Sequence, residues 1–84
     1  MPMVQKKVQD GSLMRISKVA EAAGVSKQTV EYYIMLGLVR PIRLPGRPGR
    51  FFDAPLVRRI SLIRRLNSSG YTLRSIRETY LHDR

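Results

Sequence analysis

The stretch GVSKQTVEYYIMLGLV, residues 24 to 39, decides the fold. It opens as a polar turn, and Ser26 stands where a helix N-cap belongs, with a hydroxyl that can accept from an unpaired N–H of the first turn. The spacing predicts a helix over roughly 27 to 36, with Gly37 where a left-handed C-cap residue stops it. On a 100° wheel Thr29, Val30, Tyr33 and part of Ile34 form one side. Lys27, Gln28, Glu31, Tyr32 and Met35 form the other. Upstream, Val19, Ala20 and Ala23 recur at helical spacing, Ser17 is the expected N-cap, and Gly24 ends the run. Met14 to Ile16 reads either as a short strand or as the lead-in to this first helix. Two helices joined by Gly24, Val25 and Ser26 have helix-turn-helix spacing. Ala20 is small where the helices cross, Gly24 lies in the turn, and branched Val30 closes the angle.

Downstream comes RPIRLPGRPGRFFD, residues 40 to 53. Leu38 and Val39 begin an extended segment, Pro41 and Pro45 forbid helix, and Gly46, Pro48 and Gly49 make a tip. Phe51 and Phe52 return as a second strand, one of them anchoring it on the core. The result expected is a β-hairpin wing carrying Arg40, Arg43, Arg47 and Arg50, which repel one another unless an anion lies between them. Asp53 is a good N-cap with Pro55 in the first turn, and the third helix is expected to reach about Ser68. Its stripe Leu56, Ile60, Ile63 and Leu66 reads as core; Arg58 and Arg65 point away, and Arg59 and Arg64 flank it. After Gly70, Thr72 caps a fourth helix with Leu73, Ile76 and Tyr80 on one face, and Arg74 and Glu78 form an i,i+4 pair. Residues 1 to 12 read as a mobile arm and 13 to 84 as the folded domain. The fold class is mainly α: a winged helix-turn-helix with four helices and a small β-hairpin wing.

Composition says what such a domain meets. The chain has 84 residues, with sixteen Lys and Arg against six Asp and Glu, a net charge of +10 and a pI near 11.2. Twelve of the sixteen are arginine, whose planar fork suits phosphate and guanine edges better than a lysine point charge. A polyanion, and nucleic acid in particular, is the expected partner. The absence of cysteine excludes disulfides, thiolate zinc sites and cysteine nucleophiles. The carboxylates at 10, 21, 31, 53, 78 and 83 show no paired catalytic spacing, and the single histidine, His82, reads as an exposed terminal side chain. No enzyme, metal or cofactor is expected. The apolar run YYIMLGLV is too short to span a bilayer and MPMVQKKVQDGS too polar for a signal peptide, so a cytoplasmic protein is expected, without a membrane partner.

Residues 14 to 81 resemble the DNA-binding domain of the MerR family of transcription regulators, through MRISKVAEAAGVSKQTVEYY, LGLVRP, GRFFD and LIRRLNSSGYTLRSIRE. The resemblance implies a second helix in the major groove of double-stranded DNA, a hairpin wing along the backbone, and a second wing made by the third and fourth helices. Ser26, Lys27, Gln28 and Thr29 match the start of the recognition helix. Tyr32 and Tyr33 match a tyrosine pair of which one member meets a phosphate while the other also packs. Arg50 and Phe52 match the arginine and aromatic of the return strand. Three positions depart from the pattern. Glu31 stands where an arginine is common, Ile34 where a glutamate is common, and Gly49 where an aromatic is usual, which is expected to loosen the wing. A carboxylate at 31 repels phosphate unless it accepts from a cytosine amino group.

Family members continue into a long coiled-coil helix that pairs two chains and then into an effector-binding segment; a homodimer and contact with RNA polymerase at a promoter are implied only for such a longer protein. Two readings of the end at Arg84 stand, a domain of a longer regulator, which is preferred, and a small DNA-binding protein that assembles otherwise. Alternatives from other classes are an excisionase-like architectural DNA binder and a winged-helix module for an acidic protein partner. An RNA-binding module is disfavoured because no run of exposed aromatics offers stacking for unpaired bases.

Overall fold

Four helices make up most of residues 13–81, which are the residues described by the structure, a computed structural model. They are α1 (Ile16–Ala23), α2 (Lys27–Met35), α3 (Ala54–Ser68) and α4 (Leu73–Tyr80). The arm expected over 1 to 12, and His82, lie outside the described residues.

The first helix begins earlier than its sequence suggests. Arg15, with no side-chain cap, is the N-cap, and Ser17 is already helical. The reason lies one residue upstream: Met14 exchanges both backbone hydrogen bonds with Phe52, at 2.8 Å each, which fixes an extended chain that turns straight into α1. Gly24 ends α1 with φ 74°, a left-handed conformation costly for any residue with a Cβ. Ser26 then caps α2, its Oγ accepting from the Thr29 N–H at 3.0 Å. This helix stops at Met35, and Leu36 rather than Gly37 is its C-cap; Gly37, at φ 79°, follows and turns the chain away.

Val19, Val30, Phe52, Ile60, Ile63 and Ile76 lose all their solvent exposure in the core, joined by Ala20, Tyr33, Leu38, Val39 and Leu81. Each large aliphatic or aromatic member contributes about 1.5–3 kcal/mol on burial. α1 packs on α2 and α3, and α3 on α4. Asp53 caps α3 by accepting from the Leu56 N–H at 3.1 Å, and Thr72 caps α4 by accepting from the Ser75 N–H at 3.0 Å.

Between α2 and α3 the expected two-stranded hairpin is not a ladder. Among the described residues there is no strand, only two isolated antiparallel bridges, Met14 with Phe52 and Ile42 with Phe51. Leu38 and Val39 are committed to the core instead, and Pro41, Pro45 and Pro48 have no N–H to donate. The turn-back itself survives. Arg47 N–H bonds the Leu44 carbonyl at 3.1 Å around Pro45 and Gly46, the latter at φ 74°, as a type II turn requires. Phe52 is the core anchor. Phe51 is buried too, but against charge: the guanidinium carbons of Arg15 and Arg47 lie 4.4 and 4.9 Å from its ring centre. Gly49 makes room for this, since a Cβ there would sit 2.6 Å from Arg15 Nη1.

Tyr80 lies at the open end of the face it was expected to share with Leu73 and Ile76. It is 42% exposed, and Leu81 fills the core position at the end of α4. The apolar leucine leaves no polar atom to satisfy there, whereas the tyrosine ring meets Tyr71 edge-to-face, 5.7 Å between centres. The Arg74–Glu78 pair spans 3.6 Å between side chains 85% and 65% exposed, a geometry that adds little stability.

Candidate nucleic-acid interface

The outer face of α2 is where the sequence pattern puts it. Lys27, Gln28, Glu31, Tyr32 and Met35 are all exposed, while Val30 and Tyr33 are buried. Burial raises the phenol pKa of Tyr33 and keeps it neutral, with the nearby Arg64 charge acting the other way. At the start of the helix, Ser26 Oγ and Thr29 Oγ1 are hydrogen-bonded to each other at 3.0 Å, in addition to the cap. Their hydroxyls are engaged locally, so the outward polar groups of the first turn are Lys27 and Gln28.

The four arginines of the 40–50 segment are placed differently from one another. Arg40 is exposed. Arg43 Nη1 donates to the Gly49 carbonyl at 3.3 Å, bracing the tip. Arg47 is exposed and lays its guanidinium over the Phe51 ring, 4.9 Å from the ring centre. Arg50 reaches across to α2 and forms a bidentate pair with Glu31, Nη1 to Oε1 at 3.0 Å and Nη2 to Oε2 at 2.7 Å. Both carboxylate oxygens of Glu31 are engaged at once. The hydrogen bonds from Arg50 hold the Glu31 carboxyl below its ordinary pKa, and Glu31 in turn raises that of Arg50. Two residues expected to meet DNA independently are therefore one unit.

Sequence reasoning missed part of the surface. Beside the start of α2 lies an open groove of about 510 Å³, lined by Ser26, Thr29, Tyr32 and Tyr33 and, from α3, Arg64 and Asn67. Arg64 was visible only as a residue flanking the apolar stripe of α3; nothing in its local pattern says that it faces α2. Two further arginines act behind the surface. Arg59 Nε donates to the Leu38 carbonyl at 2.7 Å, and Arg77 donates to the carbonyl of Leu36, so α3 and α4 both hold the turn that follows α2. Among the described residues no group of three His, Cys, Asp or Glu side chains could hold a metal, and no helix is long and apolar enough to cross a membrane.

A short helix, a glycine turn and a capped second helix with a polar, outward-facing side define a helix-turn-helix domain of the DNA-binding kind. Comparison with known proteins gives it a family. The model of the MerR HTH family of regulatory proteins matches residues 14–82, and this chain belongs to that family of transcription regulators, which are not enzymes. It is similar to the mercuric resistance operon regulatory protein of Bacillus cereus, 34% identical over 62 residues, covering 74% of this chain and 47% of that protein. It is 38% identical over 61 residues to the transcriptional regulator CueR of Bacillus subtilis, covering 73% and 42%. Among solved structures it resembles the transcription regulator PbrR691 of Ralstonia metallidurans, determined with lead(II). That match has a TM-score of 0.70 and 35% identity over 77% of this chain and 51% of the other. The chain thus spans about half the length of these relatives, the half that holds the DNA-binding domain.

Proposed function

We propose that this domain binds duplex DNA in a sequence-dependent way, with α2 in the major groove and the 40–50 segment as a wing along the phosphate backbone. The observation that carries the reading is the exposed face Lys27, Gln28, Glu31 and Tyr32, to which Arg50 ties the arginine-rich segment. Gln28 is the base-reading side chain of the first turn, an amide suited to bidentate pairing with adenine. Arg40, Arg43 and Arg47 supply phosphate contacts, joined by Tyr32 and by Arg64 across the groove. Tyr33 acts through packing, and Ser26 and Thr29 hold the helix start in place.

A longer regulator would pair two such domains on a two-fold operator and act at a promoter with RNA polymerase, in the cytoplasm where the chromosome lies. A single domain then binds weakly, because a second half-site is what raises avidity.

Selection of bound sites from a random duplex pool at two salt concentrations, with Gln28→Ala alongside, tests this. An enriched motif that changes in the variant is the expected result. Binding without enrichment that vanishes as salt rises would overturn it.

A further inference from the structure

We propose that Glu31 reads a cytosine, and that Arg50 is the positioning residue that presents it; the proposal rests on α2 lying in the major groove. Four observations carry it. The Glu31 side chain is 50% exposed, in the middle of the outward face and one turn from Lys27 and Gln28. It is held by two hydrogen bonds rather than one, so its carboxylate plane is fixed. Each oxygen accepts one bond from Arg50, leaving further acceptor capacity on both. Finally, Arg50 departs from a rigid base, since the next two residues exchange paired backbone bonds with Ile42 and Met14.

The chemistry of the groove then selects the partner. A carboxylate only accepts hydrogen bonds, and the major groove offers donors at two places, the N4 amino group of cytosine and the N6 amino group of adenine. Adenine carries the N7 acceptor beside its amino group, which repels the second carboxylate oxygen. Cytosine carries a C–H there. Guanine and thymine present acceptors and are repelled outright. Arg50 lowers the penalty of bringing a negative charge among phosphates, because the pair as a whole is neutral. Its other N–H groups remain able to meet a backbone oxygen.

The test uses the full chain on its selected duplex, with each base pair substituted in turn, and compares wild type with Glu31→Gln, Arg50→Ala and Arg50→Lys. Wild type is expected to prefer cytosine at one position by about tenfold or more. Glu31→Gln should flatten the preference at that position alone and tighten binding to random duplex. Arg50→Ala should flatten the same position, and Arg50→Lys, a charge without the fork, should restore it only in part. The inference is overturned if Glu31→Gln keeps every base preference, or if it weakens all duplexes in proportion, as loss of a purely structural ion pair would. It is also overturned if the two sites change different positions. Absence of any preferred sequence in wild type would sink the DNA-reading assignment itself, a result distinct from an intact preference that ignores Glu31.

Discussion

Glu31 and Gln28 sit a single turn apart and carry different kinds of expectation. Gln28 makes no hydrogen bond that would hold the fold, so Gln28→Ala is expected to leave stability unchanged and to shift preference at particular bases by about 1–3 kcal/mol, read by competition between site variants. Arg47→Ala, in contrast, is expected to weaken specific and random duplex alike. Equal proportional losses from both variants would show that no such division exists. For Glu31 the readout is pH. Its carboxyl titrates below the ordinary value of 4.5 because Arg50 donates to the charged form. A group with a depressed folded pKa stabilises the fold above its unfolded value, and that contribution is lost as pH falls through the lowered one. Side-chain carboxyl NMR is expected to show a low midpoint for Glu31 that returns toward the ordinary range in Arg50→Ala. The outward set of α2 residues was legible from the wheel alone. Their pairing was not, because Glu31 and Arg50 are 19 residues apart and no local pattern joins them.

At the level of elements, the turn between α1 and α2 is the most constrained piece. Gly24 has a left-handed backbone with nothing within 4 Å of where a Cβ would be, so Gly24→Ala costs only the backbone strain, about 1–2 kcal/mol. Ser26→Ala removes the cap of α2 and its bond to Thr29, with an expected loss of about 1 kcal/mol; thermal melts of both variants check this. Caps at Ser26, Asp53 and Thr72 were readable because their chemistry acts within three residues. Ser17 was misread because the start of α1 is decided by Phe52, far along the chain. The 40–50 segment was half legible: prolines and glycines announced the turn, but the same prolines deny it a ladder. Spacing put Tyr80 on one face with Leu73 and Ile76, but spacing does not say how far along the helix that face is covered, and Tyr80 is 42% exposed.

For the whole molecule, a small core leaves little stability to lose. Ile60→Ala opens a cavity among residues with no exposure at all and is expected to cost about 2–5 kcal/mol, enough to show partial unfolding at room temperature by circular dichroism. Binding should carry the mark of the +10 charge: with about six phosphates neutralised, log affinity falls against log salt with a slope near −5. A slope near −1 would mean that the arginines do not lie on the backbone.

The clamp behind the surface sets a limit on how accurately a helix can be aimed. The turn after α2 is held by Arg59 from α3 and Arg77 from α4, whereas the first turn of α2, carrying Gln28, is at the opposite end. Nine residues make a rod about 13 Å long. If its held end pivots by about 10°, its far end sweeps roughly 2 Å, several times the spread of distances within which a hydrogen bond keeps its strength. Arg59 and Arg77 therefore brace the end of α2 farthest from Gln28, while the Gly24 turn and the Ser26 cap hold the near end, so the helix resists pivoting only as far as both holds stay stiff.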